Sequence, residues 1–141
     1  YKNHVTLLHC NNAYPTPMKD VKLGTIAHLN QYVGVDSIGF SDHTMSTLTP
    51  ALAVAAGAEV IEKHFTLDRN MKGPDHAFAL EPHQLSEMVK LIREAELSVG
   101  VKDGFTDSEK NFKPAMRSVV TRRALKAGEL LTVNNITTKR P

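Results

Sequence analysis

Apolar and polar positions along the chain fall into an alternation of short β-type runs and longer helical stripes. Val5-Thr6-Leu7-Leu8-His9-Cys10 is a β-branched and apolar run, closed by Asn11-Asn12 and the prolines Pro15 and Pro17. A strand and then a loop are predicted. From Asp20 onward, Leu23, Ile26, Leu29 and Tyr32 recur at three-residue intervals on a polar background as far as Gly34, the spacing of a helix. A second strand is expected over 37–41, followed by the polar loop Asp42-His43-Thr44. The small-residue run 50–56 has Pro50 at its start and Gly57 past its end, where helices prefer those residues. Residues 60–65 read as a third strand, 68–76 as a loop rich in charge and glycine, and 82–99 as a helix with Leu85, Met88, Val89, Ile92 and Val99 on one face, stopped at Gly100.

Strand and helix in strict alternation at this spacing predict an α/β fold with a parallel sheet built from right-handed βαβ units. Three units do not close a barrel, and so small a parallel sheet leaves edges and apolar faces uncovered. The chain also opens without methionine, so preceding strands before Tyr1 are expected. Residues 1–101 are taken as this α/β part and the polar, turn-rich 102–113 as a linker. Residues 114–141 are taken as the start of a β-rich domain, with β-type runs at 118–121, 130–133 and 136–138.

Composition narrows the function classes. With 41% apolar residues in 141, the chain can build a core; 17 basic against 15 acidic side chains give a net charge of +2. No broad electrostatic footprint for nucleic acid or a membrane surface results, and no run approaches a membrane span of about 18 apolar residues. Cys10 stands alone, which excludes an intramolecular disulfide framework and a cysteine-rich zinc site and fits a cytoplasmic location.

Candidate chemistry gathers at strand ends. Because side chains alternate faces, Glu62 and His64 share a face, as do Ser41 and His43, and Cys10 and Asn12. All three pairs fall at the C-terminal ends of strands, where α/β folds carry their active sites, and neighbouring strands lie about 4.8 Å apart. His43 and His64 could therefore converge on one divalent ion acting as a Lewis acid. Spacing alone also permits two unrelated histidines, and Glu62 beside Lys63 reads equally as a surface charge pair. An acid in a buried strand without a task is unusual, which favours a function for Glu62. His4, His9, His28 and His83 have no polar cluster around them and read as bystanders. His76 stays open, as does Gly73-Pro74-Asp75, which reads as an ordinary turn or as a functional loop leaving the His64 strand. The run 126–129 reads as a turn with solvated charges.

Longer motifs are more specific. Leu8-His9-Cys10-Asn11-Asn12-Ala13-Tyr14-Pro15-Thr16-Pro17, Ile38-Gly39-Phe40-Ser41-Asp42-His43-Thr44, Ile61-Glu62-Lys63-His64-Phe65-Thr66-Leu67-Asp68 and Gly73-Pro74-Asp75-His76 resemble consecutive motifs of the sialic acid synthase family. The tail from Leu125-Lys126-Ala127-Gly128-Glu129-Leu130-Leu131-Thr132 to Lys139-Arg140-Pro141 resembles the opening of that family's antifreeze-like (SAF) domain.

The resemblance implies the last three strands of a (β/α)8 TIM barrel followed by a truncated β-clip domain. It implies condensation of phosphoenolpyruvate with an N-acetylated aminosugar to a nine-carbon 2-keto acid, with release of phosphate. His43 and His64 would hold Mn2+ or Mg2+, and Glu62 would be a carboxylate beside metal and substrate. Asn12 and Ser41 would hold phosphoenolpyruvate, Tyr14 and Asp75 the sugar, and Arg140 would reach the sugar of the partner subunit in a domain-swapped homodimer. No nucleic acid or membrane partner is implied. The family's phosphate-binding lysines and other catalytic carboxylates lie upstream of these motifs, so this piece alone should be inactive, and its uncovered sheet edge and apolar faces should leave it poorly stable. The aminosugar stays open: Tyr14 and its neighbours resemble neuraminate synthases, while Lys63 and Asp75-His76-Ala77-Phe78 are also similar to legionaminate and pseudaminate synthases. A metal-dependent aldolase or lyase on the same barrel, and a non-catalytic carbohydrate-binding module, are the competing readings.

Overall fold

The structure is a computed structural model and describes residues 5–32 and 34–140. The chain divides into two compact units, Tyr1–Val99 and Gly100–Pro141. In the first, strands β1 (Thr6–Cys10), β2 (Ser37–Asp42) and β3 (Val60–Lys63) form a parallel sheet in the order β1-β2-β3. Helices α1 (Gly24–Tyr32) and α2 (Thr49–Ala55) connect them, and α3 (Pro82–Ser98) follows β3.

One sheet face is apolar and covered. Leu7, Ile38, Phe40 and Ile61 pack there with Val21, Ile26, Ala53 and Ala58, and Phe40 and Ile26 are among the largest fully buried side chains. The other face runs in layers set by the register. Leu8, Gly39 and Val60 stand opposite one another in one layer, and Cys10, Ser41 and Glu62 in the next, toward the C-terminal ends. Gly39 has a steric reason: a β-carbon there would collide with the Leu8 side chain and the Val60 carbonyl oxygen.

Several boundaries differ from the sequence expectation, each for a local reason. The helix expected from Asp20 splits into a 3-10 turn at Met18–Asp20 and α1 beginning at Gly24. Lys22 lies between them at φ 51°, a left-handed conformation that ends helical propagation. The carbonyls of Asp20 and Val21 are moreover taken by Asn11 Nδ2 (2.9 Å) and His9 Nε2 (2.7 Å). Strand β3 ends at Lys63, not at 65, because the chain leaves β2 and pairs with the segment before α3. There Leu80 N–H donates to the His64 carbonyl (3.0 Å) and Thr66 N–H to the Leu80 carbonyl (2.9 Å). Helices α2 and α3 start as the prolines suggested, α3 with a capping box between Glu81 and Gln84. Gly57 ends α2 at φ 103°. On α3, Met88 is buried but Val89 is exposed, and Val99 just past the helix is exposed and lines an open groove of about 540 Å³ with Val54, Ala58, Ile61 and Ile92.

The second unit holds a two-stranded antiparallel sheet of β4 (Ser118–Thr121) and β5 (Ile136–Lys139). Within the stretch expected as a linker, α4 (Asp107–Lys110) forms behind a Thr106–Glu109 capping box. The β-type run at 130–133 is not a strand. Its backbone is held instead by Asn135, whose Oδ1 accepts from Thr132 N–H (2.7 Å) and whose Nδ2 donates to the Leu130 carbonyl (2.9 Å). Glu129 accepts from the Arg123 guanidinium and from Lys126 N–H, which hold its carboxyl below the usual carboxylate range.

Two predictions follow from this packing. Gly39→Ala should destabilise the folded protein by about 1–3 kcal/mol in urea titrations, since the colliding Val60 atom is backbone and cannot rotate aside. A carboxyl whose folded pKa is depressed gives stability above its unfolded pKa and loses it as pH falls. Protection of the 123–129 turn amides, taken relative to their intrinsic exchange rates, should therefore fall below about pH 4, and Glu129→Gln should flatten that dependence.

Candidate functional site

Parallel pairing sets the strand ends side by side, and the chemistry follows the last rungs. Ser41 stands opposite Glu62, and its hydroxyl donates to Glu62 Oε1 at 2.6 Å. One residue past each strand come His43 and His64, with ring centroids 5.3 Å apart. Ser41, His43, Glu62, Lys63 and His64 line a cleft of about 210 Å³.

Each histidine is anchored from outside the sheet. His43 is buried, and its Nδ1 lies 2.7 Å from the Asn11 carbonyl. A carbonyl only accepts, so Nδ1 carries the hydrogen and the neutral ring keeps its lone pair on Nε2. The His43 carbonyl in turn accepts from Thr16 N–H at 2.9 Å, which ties the β1 loop to the end of β2. For His64 the anchor is the Leu80 N–H on its carbonyl, while Asp75 Oδ2 sits 3.9 Å from its Nδ1, an electrostatic contact beyond hydrogen-bond length. Aromatic rings complete one wall. Tyr14 lies 4.1 Å from the His43 ring and 5.4 Å from Phe78, and Phe78 meets His64 edge-on at 5.0 Å.

Asp42 and Lys63, the last register pair, point to the opposite face. Lys63 Nζ and Asp42 Oδ2 are 2.7 Å apart, with side chains only 4% and 0% exposed. Lys63 also donates to the Thr44 carbonyl, and Asp42 Oδ1 accepts Thr44 N–H at 2.8 Å. Burial lowers the lysine pKa from its ordinary value, partly offset by the hydrogen bond and charge of Asp42. Glu62 is thus paired with Ser41 and not with Lys63, because neighbours in a strand face opposite ways.

Tyr14, Ser41, His43, Glu62, His64 and Asp75 are therefore clustered. Asn12 is exposed just beyond β1, and Arg140 follows β5 in the second unit. His9 bonds the Val21 carbonyl and stacks on Phe40, His76 bonds Thr66 Oγ1 at 2.7 Å, and His4 lies outside the described residues. Sequence reasoning missed Phe78 and the Asp42–Lys63 pair. Alternation carried a signal for the second, since two opposite charges each precede a histidine by one residue.

The donor set suits a divalent cation at an open site. Among the described residues, no group of three or more His, Cys, Asp and Glu is placed to hold a metal ion together, which leaves His43 and His64 as the two candidate ligands. Two imidazoles, one with its free nitrogen fixed by a carbonyl behind it, leave coordination positions for oxygen ligands. Among the described residues no helix is long and apolar enough to cross a membrane.

Comparison with known proteins adds lineage to this geometry. An uncharacterized protein of Methanocaldococcus jannaschii is 47% identical over 97% of this chain and 41% of its own length. The N,N'-diacetyllegionaminic acid synthase of Campylobacter jejuni is 41% identical over 99% of the chain and 42% of its own. The chain thus spans about two fifths of the length of these relatives. The crystal structure of an N-acetylneuraminic acid (sialic acid) synthetase from Leptospira borgpetersenii, in complex with citrate, superposes with a TM-score of 0.67. It is 36% identical and covers 76% of this chain and 38% of its own. The family model described as NeuB matches residues 1–104, so the chain belongs to the NeuB family.

Proposed function

We propose that this chain is the metal-bearing part of a synthase that condenses phosphoenolpyruvate with an N-acetylated aminosugar. In this reading β1, β2 and β3 are the closing strands of a (β/α)8 barrel and the second unit opens an antifreeze-like (SAF) domain. The observation that carries it is the pairing of His43 with His64 beside the Ser41–Glu62 hydrogen bond, in a family whose named relatives make sugar acids. Manganese or magnesium held by His43 and His64 would supply a Lewis acid that polarises the open-chain sugar aldehyde.

The enol carbon of phosphoenolpyruvate bonds to the aldehyde carbon, whose oxygen takes a proton; water adds to the cationic carbon left behind, and phosphate departs. Glu62, with Oε1 accepting from Ser41, has Oε2 to take a proton from that water. Ser41 has one hydroxyl proton, and here Glu62 holds it. To donate to phosphoenolpyruvate beside Asn12, the hydroxyl must rotate away, which releases Glu62 as a base when the anion binds. The exposed Tyr14 ring offers an apolar face to the N-acetyl methyl, and the exposed Asp75 carboxylate accepts from sugar hydroxyls. Arg140 is assigned to the sugar bound by the partner subunit of a homodimer, where its guanidinium suits an N-acetyl oxygen.

The full-length protein should form the 2-keto acid only when phosphoenolpyruvate, the aminosugar and the metal are all present. Phosphate release without phosphoenolpyruvate-dependent condensation, or aldol cleavage that ignores phosphoenolpyruvate, overturns the assignment. His43→Ala and His64→Ala should each weaken manganese binding at least about tenfold in calorimetric titrations and abolish detectable condensation. Asp75→Asn should raise KM for the aminosugar and leave KM for phosphoenolpyruvate within about twofold, because Asp75 sits beside His64 and a carboxylate near a phosphate would repel it.

A further inference from the structure

Behind the cleft, the buried pair of Lys63 and Asp42 takes no part in the proposed chemistry, yet its placement is not that of an ordinary core contact. Asp42↔Lys63 is the final rung of the β2–β3 ladder, so no backbone pairing joins the two strands beyond it. His43 and His64 come directly after that rung. The Lys63 ammonium binds both residues that flank His43: it donates to Asp42 Oδ2 (2.7 Å), to the Thr44 carbonyl and to Thr44 Oγ1 (3.4 Å). One residue, adjacent in sequence to His64, thus holds the carboxylate of the residue before His43 and the backbone of the residue after it.

The acid is equally committed. Asp42 Oδ1 accepts Thr44 N–H (2.8 Å), Oδ2 accepts the Thr44 hydroxyl (3.2 Å), and Thr44 Oγ1 bonds Thr49 Oγ1 (3.3 Å) at the start of α2. Thr44 and Thr49 are fully buried. Taking two charges this far from water costs several kcal/mol per ion, and replacing such a pair by neutral groups of similar volume is often neutral or stabilising. Stability therefore gives a weak account of the pair, and the geometry of the two rings gives a better one.

We propose that Lys63 and Asp42 are positioning residues that continue the ladder in side chains and fix the separation of the His43 and His64 rings. The proposal rests on the metal reading above only for its consequence in binding; the claim about ring geometry stands without it. The pair touches neither substrate nor metal and acts through its neighbours.

The test uses the full-length protein with Asp42→Asn and Lys63→Met combined, which removes both charges at similar volume. Manganese affinity is measured by calorimetry, the fold by thermal melting, and the ring environments by NMR of histidine labelled at Cε1 in metal-free protein. A melting temperature near wild type, with manganese affinity reduced 10- to 100-fold and the His43 and His64 resonances shifted or broadened, is expected. A folded double variant with wild-type affinity and unmoved resonances overturns the proposal. Should the wild type bind neither manganese nor magnesium, the metal reading fails, and the histidine resonances alone decide the clamp: moved supports it, unmoved overturns it. If the double variant does not fold, Thr44→Val, which deletes only the shared hydroxyl, is read by the same criteria, with an affinity loss of about threefold or more expected.

Discussion

The register of β2 against β3 is the constraint on which the site depends. Ser41 opposite Glu62 and Asp42 opposite Lys63 are consecutive rungs, and alternation sends them to opposite faces. The first meets the open cleft and the second the buried side beneath α2. A slip of one residue would exchange the faces, putting a hydrogen-bonding acid into the core and a bare ammonium into the cleft. The Phe40 layer opposes any such slip, since Phe40 and Ile38 would then lose their packing against Val21, Ile26 and Ala53.

The two faces solve different electrostatic problems. On the cleft side Glu62 and Asp75 are exposed, so their charges stay hydrated and adaptable until a ligand arrives. Behind it, water is excluded, and a charge is tolerable only when each polar atom has a partner. The lysine has three donor contacts and the aspartate three acceptor contacts, drawn almost wholly from one loop residue, Thr44. That economy explains why the loop after β2 begins with the buried His43 and Thr44 although loops ordinarily run in solvent.

Much of this was readable in the chain. The three βα repeats, the stop at Gly57, the end of α3 to within a residue and the co-facing pairs Ser41/His43 and Glu62/His64 follow from periodicity and alternation alone. What was not readable depended on backbone groups finding distant partners. Leu130-Leu131-Thr132-Val133 has strand composition, but an asparagine side chain claims its hydrogen bonds. Asp20 has a helical position by spacing, yet its carbonyl serves Asn11 across a loop. Phe78 became part of the aromatic wall only because Leu80 pairs with the backbone of His64 and Thr66, a contact that no local pattern announces.

That last contact separates two kinds of precision in the site. His43 and His64 are each fixed by a backbone hydrogen bond from a following or preceding loop, 2.7 Å on one ring and 3.0 Å on the other's carbonyl. Such bonds are directional: the His43 ring cannot drift without leaving a buried polar group unpaired, whereas at His64 it is the backbone that is fixed. Tyr14 and Phe78 meet these rings through centroid contacts of 4.1–5.9 Å, which tolerate sliding and tilting at little cost. The His43 ring and the His64 backbone are thus the rigid reference of the cleft and the aromatic wall its adjustable side. A change in the shape of whatever occupies the cleft is accordingly accommodated at less cost at Tyr14 and Phe78 than at the His43 ring.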